Sequence, residues 1–283
     1  MYWKKHETKL LMSVITILVV ALAAVTVLLI SNRKQTQVKK ASVSNTTSII
    51  VATGNAFPIA TIYDSKGAEA DFSQGKKKIL AYMDQNCYSC IVQIPYAHRI
   101  ANIFSGDEYS VHILWENAIP SYEGQNDEYD LTLNGKIQFA VPSPHVFVLD
   151  EDNVIRFSGN FSGGNLVQYL LRNSQHDYRD EAFVELARLA GLDVHTKQIF
   201  EFTSRGCRAC ENSLRETPIL AKKAGFDHII ISEDELANEG LAIQDSDIFS
   251  TIFGIEYYPA YVFVDSQSDL IVTNDIEVAW ATD

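Results

Sequence analysis

Lys78-Ile79-Leu80-Ala81-Tyr82-Met83 running into Cys87-Tyr88-Ser89-Cys90, and Gln198-Ile199-Phe200-Glu201-Phe202 running into Cys207-Arg208-Ala209-Cys210, are the two stretches that decide the fold. Each apolar run reads as a short β-strand, and each cysteine pair opens a segment that reads as a helix. The four cysteines are the only ones in the chain. At a helix start, the dipole and the free N–H groups of the first turn stabilise a thiolate on the first cysteine. The second lies one turn on, close enough to close a disulfide and release a bound partner. The spacing therefore points to thiol–disulfide exchange, with Cys87 and Cys207 attacking and Cys90 and Cys210 resolving.

Other uses of the cysteines fit less well. A zinc site needs converging pairs, and paired knuckles stand about 15–20 residues apart. Here 116 residues separate Cys90 from Cys207, and the histidines are scattered, so no metal ligand set is assigned. A purely structural disulfide would staple only a four-residue loop and stabilise little. A third reading makes one pair degenerate and its domain adhesive, with the first pair as the candidate.

Outward from the cysteines, both halves alternate strand and helix and end in a hairpin, the pattern of an α/β sheet. In the first half, Phe57 to Tyr63 leads into the turn Asp64-Ser65-Lys66-Gly67 and then the basic turn Gly75-Lys76-Lys77-Lys78. After the cysteines come a helix to about Phe104, a strand over Ser110–Trp115 and an acidic inserted loop over 116–138. The strand–turn–strand His145–Phe157 and a helix over Asn165–Arg172 follow. Asp180 to Gly191 has helical spacing and a glycine stop. The second half reads as a helix to about Gly225, a strand over His228–Ile231, a helix over about Asp234–Phe253, and strands over Ala260–Val264 and Leu270–Thr273.

Leu10 to Ile30 is 21 residues without a charge, long enough to cross a bilayer as a helix. It exceeds the apolar core of a signal peptide, and no small-x-small cleavage site follows it. We read it as an uncleaved anchor. The first 40 residues carry seven Lys/Arg against Glu7, leaving a net charge of −19 on the remainder. That acidic body argues against nucleic-acid partners, which require basic surface. Basic residues flank the span on both sides, so orientation rests on chemistry: disulfide exchange is at home outside the cytosol. The expected organisation is a short N-terminal segment (1–9), an anchor contacting the lipid bilayer (10–30), a flexible linker (31–52) and two domains (53–174 and 175–283). Residues 31–283 are expected on the extracytoplasmic side of a bacterial cell membrane.

With these elements placed, the chain resembles the thioredoxin superfamily in both halves. Phe253-Gly254-Ile255-Glu256-Tyr257-Tyr258-Pro259-Ala260 is similar to the segment that carries that family's cis-proline, which faces the cysteines. The resemblance implies that Pro259, preceded by Tyr258, is cis. Pro144, between Ser143 and His145, takes the same place in the first half. The first half also resembles the membrane-anchored TlpA/ResA branch, through its opening hairpin and through Pro95, eight residues after Cys87. The chain departs from the superfamily pattern at Asn86 and Gly206, each standing where tryptophan is usual before the first cysteine, and the first half departs from the branch at Gln93, where a glutamate is usual. His145 follows the cis-proline where threonine is common.

The resemblance implies two tandem thioredoxin-like domains behind the anchor and a thiol:disulfide oxidoreductase with no cofactor beyond its redox-active disulfides. Implied partners are thiol- or disulfide-containing envelope proteins or secreted peptides and a membrane redox partner. It places Glu201 as the buried acid that accepts a proton; the residues alone equally allow a half-exposed edge charge. His145 is expected either to reach the Cys87 sulfur or to be solvated. Tyr82, Tyr88, Tyr257 and Tyr258 are candidates for a peptide groove, and Phe104, Trp115, Phe147, Phe200, Phe202 and Phe263 for the core. Arg205 and Arg208 beside Cys207 predict a better-stabilised thiolate there than at Cys87. The rival functional class is a chaperone or accessory maturation subunit that holds client peptides without turnover.

Overall fold

The computed structural model describes residues 47–59, 62–72, 75–122, 129–133, 135, 137–161, 164–232, 241–242, 246–264 and 269–278. The expected anchor lies outside them, and among the described residues no helix is long and apolar enough to cross a membrane. Ser48–Asp283 is one compact unit by its contacts; two large sheets carry the cysteine strands, and a separate two-stranded sheet pairs Thr47–Ile49 with Ile137–Phe139.

The first sheet has six strands in the order β1-β4-β3-β2-β6-β7, where β1 is Ile62–Asp64, β2 Lys77–Met83, β3 Tyr109–Trp115, β4 Asp130–Leu133, β6 His145–Leu149 and β7 Ile155–Asn160. Strand β5 (Ile137–Phe139) stands outside it. The cysteine-bearing strand β2 runs parallel to β3 and antiparallel to β6, with Met83 opposite Trp115 and Tyr82 opposite His145. Helix α1 (Tyr88–Val92) follows the first cysteine. The chain breaks at Gln93 and resumes as α2 (Ile94–Phe104), with Pro95 in its first turn, where a missing N–H costs nothing. Helices α3 (Gly164–Asn173) and α4 (Arg179–Ala190) come next, α4 ending on Gly191 at φ +69°, the conformation glycine adopts without penalty.

The second sheet repeats the plan in the order β10-β9-β8-β11-β12. Here β8 is Gln198–Thr203, β9 Asp227–Ser232, β10 Leu241–Ala242, β11 Ala260–Val264 and β12 Leu270–Thr273. Strand β9 is parallel to β8, and β11 and β12 complete it antiparallel. Helices α5 (Arg208–Ala224) and α6 (Ser246–Phe253) cross between strands. A parallel strand, the cysteine strand, then two antiparallel strands is common to both sheets. This is the thioredoxin-like α/β arrangement that the sequence resemblance implies.

Two expectations are corrected. Within the stretch expected as a helix over Asp234–Phe253, the described residues place a helix at Ser246–Phe253, whereas Leu241–Ala242 pairs parallel to Ile231 and Ser232 as an edge strand. The stretch read as an acidic loop contains β4 and β5. Its charge pattern hid β4 because Asp130 is fully buried there, its carboxylate taking the Trp115 indole N–H at 2.7 Å and the Tyr122 hydroxyl at 2.7 and 2.8 Å. Val51, inside the expected linker, is already buried against Phe57 and its neighbours.

Alternation assigns the faces. Ile79, Ala81 and Met83 of β2 and Phe200 and Phe202 of β8 belong to one continuous apolar core, with α2, α3, α4 and α6 contributing to it. Phe183 on α4 meets Phe200 edge to face at 5.3 Å, and Tyr178 meets Phe104 at 4.5 Å. A buried Glu185 takes Asn102 Nδ2 at 3.1 Å and pairs with Arg188 at 2.6 Å, pinning α2 to α4. All six expected core aromatics are buried. The outer faces carry separate clusters, Leu80, Tyr82 and Phe147 with Phe57 and Phe139 on one sheet, and Ile199, Tyr261 and Phe263 with Ala221 on the other.

Because the inner core is shared, the two halves are expected to unfold together. Phe183→Leu should cost about 1–2 kcal/mol, the loss of one aromatic contact plus imperfect repacking. In the reduced protein, Cys90 and Cys210 should lose protection from alkylation at the same urea concentration, shifted equally by the substitution. Separate midpoints would show independent halves.

Candidate active site

Both first cysteines are helix N-caps. Cys87 has an extended backbone (φ −91°, ψ 111°) and its Sγ accepts the Cys90 N–H at 3.2 Å; Cys207 (φ −78°, ψ 102°) accepts the Cys210 N–H at 3.1 Å. A tight turn at the end of each central strand sets this up, with Cys87 N–H on Asp84 O at 3.1 Å and Cys207 N–H on Ser204 O at 3.3 Å. In the second turn Gly206 sits at φ +74°, a conformation few residues other than glycine adopt. Cys207 and Cys210 are bonded to each other, and Cys87 and Cys90 are free thiols.

The expected cis bonds are present at Ser143-Pro144 and Tyr258-Pro259. The carbonyl of the preceding residue lies beside the sulfur of the first cysteine, Ser143 O 3.6 Å from Cys87 Sγ and Tyr258 O 3.6 Å from Cys207 Sγ. The equivalence of the two loops holds at atomic detail. Asn274, which sequence reasoning missed, secures the second loop, its Nδ2 donating to Tyr257 O and Pro259 O at 2.8 Å each. Its signal would have been an asparagine just past the last strand.

Cys87, expected to have a less well stabilised thiolate than Cys207, has hydrogen-bonding support of its own. Burial pushes the Cys87 thiol up, but hydrogen bonds from Cys90, Ser89 and Ser143 outweigh it and bring the group below an ordinary thiol. Ser89 Oγ is 3.0 Å from Sγ, and the sequence offered this hydroxyl in plain view between the cysteines. For Cys90, burial and then the neighbouring Cys87 sulfur push the thiol up to about 12. At neutral pH Cys87 is therefore the better ionised of the two thiols, and the thiolate is the reactive species. Iodoacetamide is expected to label Cys87 at least about tenfold faster than Cys90 at pH 7, read by peptide mass spectrometry, because thiolate fraction outweighs the lower nucleophilicity of the more acidic sulfur; comparable rates would contradict the assignment of attacking and resolving sulfurs.

Glu201 is fully buried on the central strand and is no edge charge. Ser213 Oγ donates to it at 2.5 Å, and His228 Nε2 lies 2.7 Å from its other oxygen. His145 is buried with its ring turned away from Cys87, Nε2 at 2.9 Å from Ser158 Oγ and its ring centroid 4.9 Å from that of Phe147, and burial holds its pKa down. It is thus neither solvated nor placed at the sulfur. Tyr82 is buried in the outer core, whereas Tyr88 and Tyr257 are 84% and 71% exposed beside their cysteine pairs, with Tyr258 half-buried. Gln93 Oε1 is buried without a hydrogen-bond partner among the described residues. Glu116, also unanticipated, follows β3 at the cysteine end of the sheet, its N–H on Met83 O at 2.9 Å. Burial raises its carboxyl above the ordinary range, opposed by the Tyr82 hydroxyl beside it.

No family model matches this chain, and no curated protein does. Among solved structures it is similar to the thioredoxin domain of a thiol-disulfide oxidoreductase from Bacteroides vulgatus, at 18% identity over 43% of this chain and 97% of that one, TM-score 0.33. It is also similar to a putative thioredoxin from Neisseria meningitidis, at 18% identity over 44% and 93%, TM-score 0.34. A third is the pneumococcal exposed lipoprotein thioredoxin of Streptococcus pneumoniae, at 16% identity over 40% and 97%, TM-score 0.31. The reading of fold and chemistry rests on the strand order and cysteine geometry above, not on these likenesses.

Proposed function

We propose that this protein is a membrane-anchored, extracytoplasmic thiol:disulfide oxidoreductase with two tandem thioredoxin-like domains, the first of TlpA/ResA type. One observation carries the reading: in each half the first cysteine is the N-cap of a helix at the end of the central strand, and its sulfur is held between the N–H of the second cysteine and a carbonyl of the proline loop. In this arrangement Cys87 or Cys207, as thiolate, attacks a client disulfide and forms a mixed disulfide. Cys90 or Cys210 then attacks that bond and releases the client thiol; a client thiol attacking the protein's own disulfide runs the same steps backwards. No group beyond the cysteines is required. Proposed clients are envelope proteins or secreted peptides bearing thiols or disulfides, with a membrane partner recharging the pairs. Tethering on one chain gives each centre a local concentration of about millimolar at the other, which supports a relay of electrons between them.

The exposed Tyr88, Ile91 and Val92 around Cys87 support a second reading, a client-binding module without turnover. Trapping separates the two. Cys90→Ala and Cys210→Ala proteins, expressed full-length, are expected to accumulate covalent client adducts that dithiothreitol releases. Adducts absent from both variants would sink the enzymatic reading and leave the binding module.

A further inference from the structure

We infer that the second cysteine pair reacts with acidic partners, peptide segments that carry carboxylates beside the reacting sulfur, and that Arg205 and Arg208 select them. The inference rests on the exchange chemistry proposed above and names the partner class of one of its two centres. Arg205 lies in the turn between β8 and α5, and Arg208 is the first residue of α5, so the two flank Cys207. Both are exposed, and neither makes a hydrogen bond or ion pair among the described residues. Three other arginines of this acidic chain are taken up by carboxylates, Arg156 by Asp150, Arg179 by Asp177 and Arg188 by Glu185. Arg208 also stands at a helix N-terminus, where the macrodipole disfavours a cation. The placement does nothing for the fold; it presents unsatisfied cations beside the sulfur.

The first centre is built differently. From Asp84 to His98 the chain carries no Lys or Arg, and Asp84 is the one carboxylate. Its proline loop, Val141-Pro142-Ser143-Pro144, is uncharged, and the large side chains exposed beside Cys87 are Tyr88, Ile91 and Val92. Around Cys207 the comparable stretch, residues 204–218, holds Arg205, Arg208 and Arg215 against Glu211 and Glu216. Those two acids lie one and more than two turns into α5, whereas Arg205 and Arg208 adjoin the cysteine. Glu256, exposed in the second proline loop, is the acid that opposes them.

Exposed arginines are screened from the ionisation of the sulfur, but they act on an incoming charge. Attraction accumulates along the approach, and a guanidinium closes two parallel hydrogen bonds on one carboxylate. In the attacking step the Cys207 thiolate bonds to one sulfur of the partner's disulfide as that disulfide breaks. The departing sulfur leaves with the electron pair and takes a proton from water. Carboxylates on either side of the attacked sulfur then fall against the two residues that flank Cys207. The acidic body as a whole repels such a partner, so a preference for it has to come from these local cations. The first centre lacks them and should disfavour the same partner, which keeps the two centres from competing.

The test uses two symmetric disulfides of short capped peptides, one with Glu on either side of its cysteine and the other its Gln twin. Full-length protein carrying Cys87→Ser, Cys90→Ser and Cys210→Ala forms adducts at Cys207 alone, and acid quench with mass spectrometry gives a rate constant for each peptide. The Glu peptide is expected to react about tenfold faster at low salt, the lower end of what steering supplies. The preference should vanish near 1 M salt, where the screening length is about 3 Å. Arg205→Gln with Arg208→Gln should bring the ratio to one or below. Arg205→Lys with Arg208→Lys should retain part of it, since the charge stays and the fork is lost. Each ratio compares two peptides on one protein, so a change in the reactivity of the sulfur itself cancels. The first centre, isolated by Cys207→Ser, Cys210→Ser and Cys90→Ala, should give a ratio below one. Thermal midpoints identify any variant that is merely unfolded, and the lysine pair gives a second readout if the glutamine pair is. Equal ratios in the parent and the glutamine variant, or no preference in the parent at low salt, would overturn the inference and leave the exchange chemistry standing, because both peptides still react. No adduct at Cys207 with either peptide would overturn both.

Discussion

Serine at Cys207 in the full-length protein is expected to lower exchange at the second centre by at least about a thousandfold while Cys87 and Cys90 continue to titrate, and serine at Cys87 should do the reverse. A hydroxyl is isosteric enough to keep the N-cap hydrogen bond from Cys210 N–H, so folding is preserved. It does not ionise in the accessible pH range, and the thiolate is the attacking species. The two single variants also isolate the reduction potentials. At Cys87 the thiolate is supported at short range by Ser89 Oγ, 3.0 Å away, and by Ser143. At Cys207 the equivalent of Ser89 is Ala209, which offers nothing, and the compensating charges Arg205 and Arg208 are exposed, where solvent screens them. Unequal support for the thiolate means unequal stability of the reduced forms. The potentials are expected to differ by more than about 30 mV, a tenfold change in the exchange equilibrium. Titration of Cys87→Ser and Cys207→Ser against glutathione buffers measures this, and potentials that coincide would remove the physical basis for a relay between centres.

The strand-cysteine-helix units were legible because their signals are local. Apolar runs of five or six residues, a cysteine pair at the helix start, Pro95 at a helix beginning and Gly191 at a helix end each act within a few positions. The proline loops were legible only through resemblance, since nothing in Ser143-Pro144 or Tyr258-Pro259 distinguishes a cis bond by composition. What escaped depended on partners distant in sequence. Asp130 reads as a loop residue until Trp115 and Tyr122 supply donors to its carboxylate. By its residues alone Glu201 is as much an edge charge as a buried acid until β9 and β11 flank its strand and His228, 27 positions on, meets it. His145 follows a proline at the right place to reach Cys87, but the pleat sends its side chain to the opposite face, with Phe147. Ser89 is the exception, because it sits inside the motif; its role was missed by weighing long-range arginines above a hydroxyl in contact.

Asp130→Ala is expected to destabilise the protein by about 3–5 kcal/mol, with Asp130→Asn costing about a third as much. The carboxylate is fully buried and is the acceptor for both the Trp115 indole and the Tyr122 hydroxyl. Alanine leaves the buried Trp115 indole and the half-buried Tyr122 hydroxyl unpaired, at about 1–3 kcal/mol each, and opens a small void; asparagine keeps one acceptor oxygen. The effect reaches the first cysteine centre by a traceable route. Trp115 ends β3 opposite Met83, the last residue before the Asp84–Cys87 turn, and the Tyr122 ring lies 5.9 Å from that of His98 on α2, which continues the cysteine helix. Burial lowers the His98 pKa, and the Asp130 charge opposes that shift, so in the alanine variant His98 should titrate lower still. Urea unfolding monitored by tryptophan fluorescence measures the stability change. The alkylation rate of Cys87 in the folded alanine variant then reports whether the turn has moved. A cost below about 1 kcal/mol would mean that water, and not Asp130, satisfies the two donors. An unchanged Cys87 rate beside a large loss of stability would confine the network to holding β4 in the sheet.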